Sequence, residues 1–223
     1  MLNNKYTKII DGYVINLESD KERKRNVINE FINSSINLKF FNAIKHETGW
    51  IGCLKSHLEL IKFAKENNMD MILVIEDDAY IENKNYFNNI FPKIINYLKE
   101  NKDKWTIFNG GPSINKHAEI NNVINMNQFN LYELSKCCST TLIIYNSTIY
   151  DHFIKFLYYP DDKLKSTHKI DMIIYNTFNC IVPYPTLVWQ IESYSHIYNK
   201  HRDDLQIIKN NTDIIFKRLI KKI

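Results

Sequence analysis

Met71-Ile72-Leu73-Val74-Ile75-Glu76-Asp77-Asp78 is the stretch that decides the fold. Its five uninterrupted apolar residues, with β-branched Ile72, Val74 and Ile75 among them, read as a strand buried on both faces. Three carboxylates follow at once, where such a strand leaves the sheet. Ligands of open α/β sheets gather at the carboxyl ends of strands. Three adjacent negative charges are costly unless a cation or a positive partner offsets them. A divalent metal held by oxygen ligands and itself bound to a diphosphate fits that requirement. The competing reading is a solvated acidic turn.

Upstream of this strand, Ile9 to Leu17 contains a first strand centred on Tyr13-Val14-Ile15. Ser19 or Asp20 caps a helix through Arg23, Val27, Ile28 and Phe31. Leu38 to Phe41 reads as a second strand, and a turn through Gly49 and Gly52 leads into a helix over Leu54 to Asn67. The first part of the chain is therefore β-α-β-α-β. Downstream come a helix over Tyr86 to Leu98 and a strand over Trp105 to Phe108 that ends in Asn109-Gly110-Gly111. Residues 112–133 are polar, lack periodicity and read as a long loop. A strand over Thr140 to Tyr145 and a helix over Ser147 to Leu157 follow, then a helix over Asp171 to Thr177 and a short strand at Ile181-Val182. Alternating elements predict an α/β, Rossmann-like open sheet flanked by helices.

At 223 residues, with 44% hydrophobic content and only five Gly and five Pro, the chain suits one large domain with a sizeable core. The division read from the sequence is a domain over residues 1–200 and a basic amphipathic helix over 201–223. On that helix Leu205, Ile208, Ile215 and Leu219 form a stripe among Lys209, Lys217, Arg218, Lys221 and Lys222. Such a helix either docks on the domain or a second subunit, or lies on a membrane surface. A net charge of +4 suits an anionic small molecule and is too diffuse to argue for nucleic acid. Cys53, Cys137, Cys138 and Cys180 show no CxxC spacing and read as small packing residues in a reducing compartment. No apolar run reaches membrane-span length, and the first residues lack the apolar core of a signal peptide. The expected location is the cytoplasm, with peripheral membrane contact through the last helix as the alternative.

Four blocks in order resemble glycosyltransferase family 25, which includes lipooligosaccharide and collagen galactosyltransferases. They are Tyr13-Val14-Ile15-Asn16-Leu17 with Arg23 behind it, Phe41-Asn42-Ala43-Ile44, Gly52-Cys53-Leu54-Lys55-Ser56-His57, and Val74-Ile75-Glu76-Asp77-Asp78. Thr140 to Tyr145, Ile170-Asp171, Pro185, Gln190 and Ser195-His196-Ile197 are similar to later parts of the family more weakly. The linker from Ile44 to Gly52 is shorter than usual there, which leaves the acceptor less defined than the donor.

The resemblance implies a GT-A fold and metal-assisted, inverting transfer of a hexose, galactose or glucose, from a UDP-sugar. The acceptor would be a hydroxyl of a glycan or a hydroxylysine-type protein. It implies Mn²⁺ or Mg²⁺ on Asp78 and Glu76, with Asp77 on the donor ribose or sugar and His196 as a further ligand from late in the chain. Asn16 and Leu17, at the end of the first strand, would meet the nucleotide base, and Arg23 would fork onto phosphate oxygens. Ser56 and His57 are expected in the first helical turn after Gly52, where free N–H groups suit an anion. Asp171 is the first candidate base for the acceptor hydroxyl, and Glu192 the second. The alternatives are a non-catalytic relative that binds a sugar nucleotide or glycan, and a nucleotidyltransferase, which the absence of a Gly-rich phosphate loop disfavours.

Overall fold

The computed structural model describes residues 7–191 and 204–223, with backbone alone at 194–195 and 200–201. Along the first half run β1 (Ile10–Asn16), α1 (Lys21–Phe31), β2 (Ile36–Asn42), α2 (Gly49–Glu66), β3 (Met71–Glu76), β4 (Ala79–Tyr80) and α3 (Lys84–Glu100). Then come β5 (Ile107–Asn109), β6 (Ser113–Ile114), β7 (Ile120–Asn125), β8 (Asn130–Leu134), β9 (Cys137–Cys138) and β10 (Leu142–Asn146). The chain closes with α4 (Tyr150–Ile154), α5 (Ile170–Thr177), β11 (Cys180–Pro183), β12 (Trp189–Gln190), β13 (Tyr194–Ser195), β14 (Lys200–His201) and α6 (Leu205–Ile220).

Eight strands form one mixed sheet in the order β2-β1-β3-β10-β5-β11-β8-β7. The β2-β1-β3 portion is parallel and β10 joins β3 antiparallel. This is the Rossmann-like open mixed sheet flanked by helices that the alternating elements predict.

The apolar run of β3 has a direct structural cause. Ile72 and Val74 enter the core on one face, with α2, α4 and α5, while Leu73 and Ile75 enter the core on the other, with α1 and α3. A strand covered on both faces has no polar side to alternate with. The antiparallel neighbour β10 divides its residues in the same way, Ile143 and Tyr145 to one core, Leu142 and Ile144 to the other.

Two expectations fail in the second half of the chain. Residues 112–133 are not a loop: they hold β6, β7 and most of β8, with β7 and β8 paired as a hairpin at the sheet edge. The edge position explains why its periodicity is hidden. β7 (INNVIN) is largely exposed, and its Asn residues need no apolar partner. The helix expected over Ser147 to Leu157 shortens to α4, flanked by 3₁₀ turns at Ser147–Ile149 and Lys155–Tyr158.

Helix α2 begins at Gly49, five residues before the expected start at Leu54, so Gly52 lies inside the helix. A Cβ at Gly52 would sit 2.4 Å from the carbonyl oxygen of Ile44, a backbone atom with no freedom to rotate away. Glycine therefore lets the Ile44–His46 segment lie directly on the helix. Gly52→Ala is expected to cost about 1–3 kcal/mol of stability, as overpacking of a fixed contact does. A urea midpoint indistinguishable from the parent would mean that the 44–46 segment moves freely.

Helix α6 docks on the domain. Thr212, Phe216 and Leu219 are buried, and the Phe216 ring lies against Tyr132 and Tyr184 at centroid distances of 5.2 and 4.6 Å. The Thr212 hydroxyl accepts the Ile114 N–H at 3.3 Å. The buried face thus runs through Phe216, which the sequence stripe left out. Leu205, Ile208 and Ile215 are only partly covered. Among the described residues no helix is long and apolar enough to cross a membrane.

Candidate active site

The carboxylates stand where β3 ends, and neighbouring elements fix each one. The register of β1 on β3 pairs Ile15 with Glu76, which brings Asn16 beside Asp77. The Asn16 amide donates to Asp77 Oδ2 at 2.8 Å. Asp20 caps α1 by accepting the Arg23 N–H at 3.1 Å, setting Arg23 in the first turn of α1. From there its guanidinium forks, Nη1 to Asp77 Oδ1 at 2.6 Å and Nη2 to Asp78 Oδ2 at 3.0 Å. The planar donor geometry expected to meet phosphate meets two carboxylates instead.

Glu76 is held separately. Thr140 donates its hydroxyl to Glu76 Oε1 at 2.6 Å, and Gln190 its amide to Oε2 at 2.7 Å. The Gln190 segment is tied down because β12 pairs antiparallel with β4 and the Ile191 N–H donates to the Asp78 carbonyl at 2.8 Å. Asp78 Oδ1 is buried without a hydrogen-bond partner among the described residues. Burial raises all three carboxyls. Glu76 is pushed up to about 8 by burial and then by the Asp78 charge. Asp77 rises to about 6 by burial, against the pull of Arg23 and Asn16. Asp78 is raised by burial although Arg23 opposes it. A buried oxygen with no partner, beside carboxylates held above their ordinary range, is a donor set suited to a hard divalent cation. Asp78 and Glu76 are the residues that could hold such a cation.

Glu76 alone of the three lines a cavity of about 640 Å³, together with Trp50 and Cys53 of α2, Asp171 of α5, Lys169 and Trp189. Asp171 sits in the first turn of α5 with its carboxyl raised by burial, a change opposed by backbone N–H groups and Lys169. The structure thus brings Glu76 and Asp171 to one cavity. Asn16, Arg23, Asp77 and Asp78 form a bonded cluster outside its lining, with Leu17 partly buried at the end of β1.

Ser56 and His57 are not in a first turn, because α2 starts earlier than expected. Ser56 is buried mid-helix, where its hydroxyl donates to the Gly52 carbonyl at 2.8 Å and accepts the Ile44 N–H at 2.9 Å. His57 is 0% exposed, with Nδ1 3.0 Å from the Tyr145 hydroxyl, and burial drives its pKa down to about 3, so the ring is neutral. Neither residue lines the cavity. Glu192 and His196 lie outside the described residues. Sequence reasoning gave no role to Thr140 or Gln190, the two groups that fix Glu76. A lone hydroxyl at a strand start and a lone amide carry no spacing signal.

The sequence profile of glycosyltransferase family 25, described as an LPS biosynthesis protein, matches residues 47–159. A Haemophilus influenzae protein provisionally named a glycosyltransferase is 31% identical over 92 residues, covering 31% of this chain and 33% of that protein. The chain therefore spans about a third of that relative's length. Among solved structures, the glycosyltransferase GlyE of Streptococcus pneumoniae superposes with a TM-score of 0.43 at 7% identity, covering 97% of this chain and 64% of that one. A nucleoside-diphosphate-sugar pyrophosphorylase of Vibrio cholerae gives 0.34 at 12% identity, covering 78% and 72%. Both structural likenesses are too slight to bear on function. The profile match covers half of the sequence and includes both Gly52–His57 and the acidic end of β3, and on that match the chain belongs to glycosyltransferase family 25.

Proposed function

We propose that the protein transfers a hexose, galactose or glucose, from a UDP-sugar to a hydroxyl of a glycan or protein acceptor, with inversion at the anomeric carbon. The observation that supports this reading is the placement of Glu76 and Asp171 on one cavity, with Asp78 Oδ1, which has no hydrogen-bond partner among the described residues, at the same strand end. Asp171 takes the proton of the acceptor hydroxyl as its oxygen bonds to the anomeric carbon, while the bond from that carbon to the diphosphate oxygen breaks. A carboxyl raised by burial is a better base near neutral pH than an ordinary aspartate. Trp50 and Trp189 line the cavity, and indole rings are suited to stack on a sugar. Lys169 adds positive charge on the same wall. Mn²⁺ or Mg²⁺, held by Glu76 and Asp78, would supply the charge that offsets the departing diphosphate.

Calorimetric titration with UDP-galactose, UDP-glucose and UDP, in Mn²⁺ and then in EDTA, tests the reading. Metal-dependent binding of a UDP-sugar, followed by slow hydrolysis of that donor, is the expected result. The absence of any uridine-nucleotide binding would overturn it. The grip of Arg23 on Asp77 and Asp78 favours one alternative, a sugar-nucleotide-binding relative without catalysis. Binding with no hydrolysis and no transfer would select that alternative.

A further inference from the structure

A second donor set includes Glu76. Cys53 and His57 stand four residues apart on α2, a spacing that puts both on one helical face. One ligand atom each from Cys53, His57 and Glu76 lie within 4.8 Å of one another. The His57 ring is fully buried, and its Nε2 has no hydrogen-bond partner among the described residues. Its other nitrogen, Nδ1, meets the Tyr145 hydroxyl at 3.0 Å. If that hydroxyl accepts from Nδ1, Nε2 is a bare lone pair. If it donates, Nε2 carries a proton with nothing to receive it. Either state leaves a polar atom stranded in the core, at a cost on the order of 1–3 kcal/mol.

We propose that Cys53, His57 and Glu76 form a binding site for a thiophilic divalent metal of the Zn²⁺ class, with its fourth position open to the cavity that Cys53 and Glu76 line. Sulfur, imidazole and carboxylate together suit Zn²⁺ and not Mg²⁺, which avoids thiolate. Tyr145 then serves as the partner that fixes the ring tautomer and leaves Nε2 free to ligate, as the second nitrogen of a metal-bound histidine normally requires. The charges also balance: a thiolate, a carboxylate and a neutral imidazole offset a divalent ion, so the three ligands and the metal are neutral overall. The site is distinct from the oxygen set at Asp78 in chemistry and shares only Glu76 with it. The inference stands on this geometry whether or not the protein transfers sugar.

Co²⁺ added to the metal-stripped full chain is the probe, because it reports thiolate ligation optically without any enzyme assay. The expected result is a thiolate-to-cobalt charge-transfer band with the visible intensity of a four-coordinate site, saturating at one equivalent and discharged by Zn²⁺. The band is expected to vanish in Cys53→Ser, which retains Cys137, Cys138 and Cys180. Glu76→Gln is expected to weaken Co²⁺ binding by roughly tenfold or more, and Tyr145→Phe by roughly 10- to 100-fold. Circular dichroism of each variant separates lost ligation from lost folding, and Cys53→Ser, at a partly exposed position, carries the decision. No thiolate band, or an unchanged band in Cys53→Ser, would overturn the assignment.

Discussion

Asp78→Asn is expected to reduce sugar transfer by about 10²–10³-fold while leaving the fold at least as stable as the parent. The two halves of this expectation come from one fact. Asp78 sits among carboxylates raised by burial, and its own charge is the second cause of the raised Glu76. An amide keeps a carbonyl oxygen for Arg23 and removes a negative charge from a crowded site. The activity falls because Asp78 Oδ1, which has no hydrogen-bond partner among the described residues, loses the charge that would attract a cation.

The pH dependence of stability gives a second reading on the same variant. Glu76 keeps its proton in the folded chain up to about 8, whereas an ordinary glutamate releases it near 4.5. The folded state therefore binds more protons than the unfolded state between those values. The stability this group contributes is full below about 4.5 and is lost as pH rises toward about 8. Metal-free protein should accordingly melt at a lower temperature at pH 8 than at pH 5, and by a smaller margin in Asp78→Asn. Full turnover in a folded Asp78→Asn protein would remove Asp78 from the site.

The largest effect on stability is expected at Arg23. Its side chain is 14% exposed, and those of Asp77 and Asp78 are 10% and 15% exposed, so the ion pairs are well shielded from water. Arg23→Met leaves both carboxylates buried without their cation, and breaking such a pair by removing one partner costs about 3–5 kcal/mol. Urea unfolding measures that loss. The double variant Arg23→Met with Asp77→Asn should recover part of it, since one stranded charge is then neutralised. If Arg23 instead serves chiefly to hold donor phosphate, the single variant would keep its stability and lose only donor affinity.

The β1 to β3 portion was legible because a strand covered on both faces must be apolar throughout, and because carboxylates after such a strand lie at a sheet's carboxyl edge. Strand β7 was illegible for the opposite reason, since an Asn-rich edge strand shows no period. The start of α2 was misplaced because Gly49 and Gly52 resemble a turn in sequence. Only the Ile44 carbonyl against Gly52 shows that one of them serves helix packing. Glu76 and Asp171 were nameable from sequence, yet their meeting at one cavity depends on β10 entering beside β3. The fork of Arg23 onto Asp77 and Asp78 is likewise a tertiary fact, set by the β1–β3 register and the Asp20 cap. Cys53 read as packing because its spacing to His57 acquires a meaning only once Glu76 stands beside them.

The antiparallel junction of β3 with β10 has a consequence for assembly. Trp50, Cys53, Glu76 and Tyr80 are the cavity residues that precede it in the chain, and the rest of the lining begins at Gly111. The early β-α-β-α-β portion makes its contacts between nearby segments, whereas closing β10 onto β3 joins distant ones and bears a larger loop-closure entropy. As the chain leaves the ribosome, the acidic turn therefore emerges with Arg23 already made to offset its charge and Asn16 to hydrogen-bond it, long before Thr140 and Gln190 exist to hold Glu76. Arg23 acts in this sense as an internal counterion that keeps a half-made chain from carrying a bare cluster of carboxylates while it waits for the rest of its binding site.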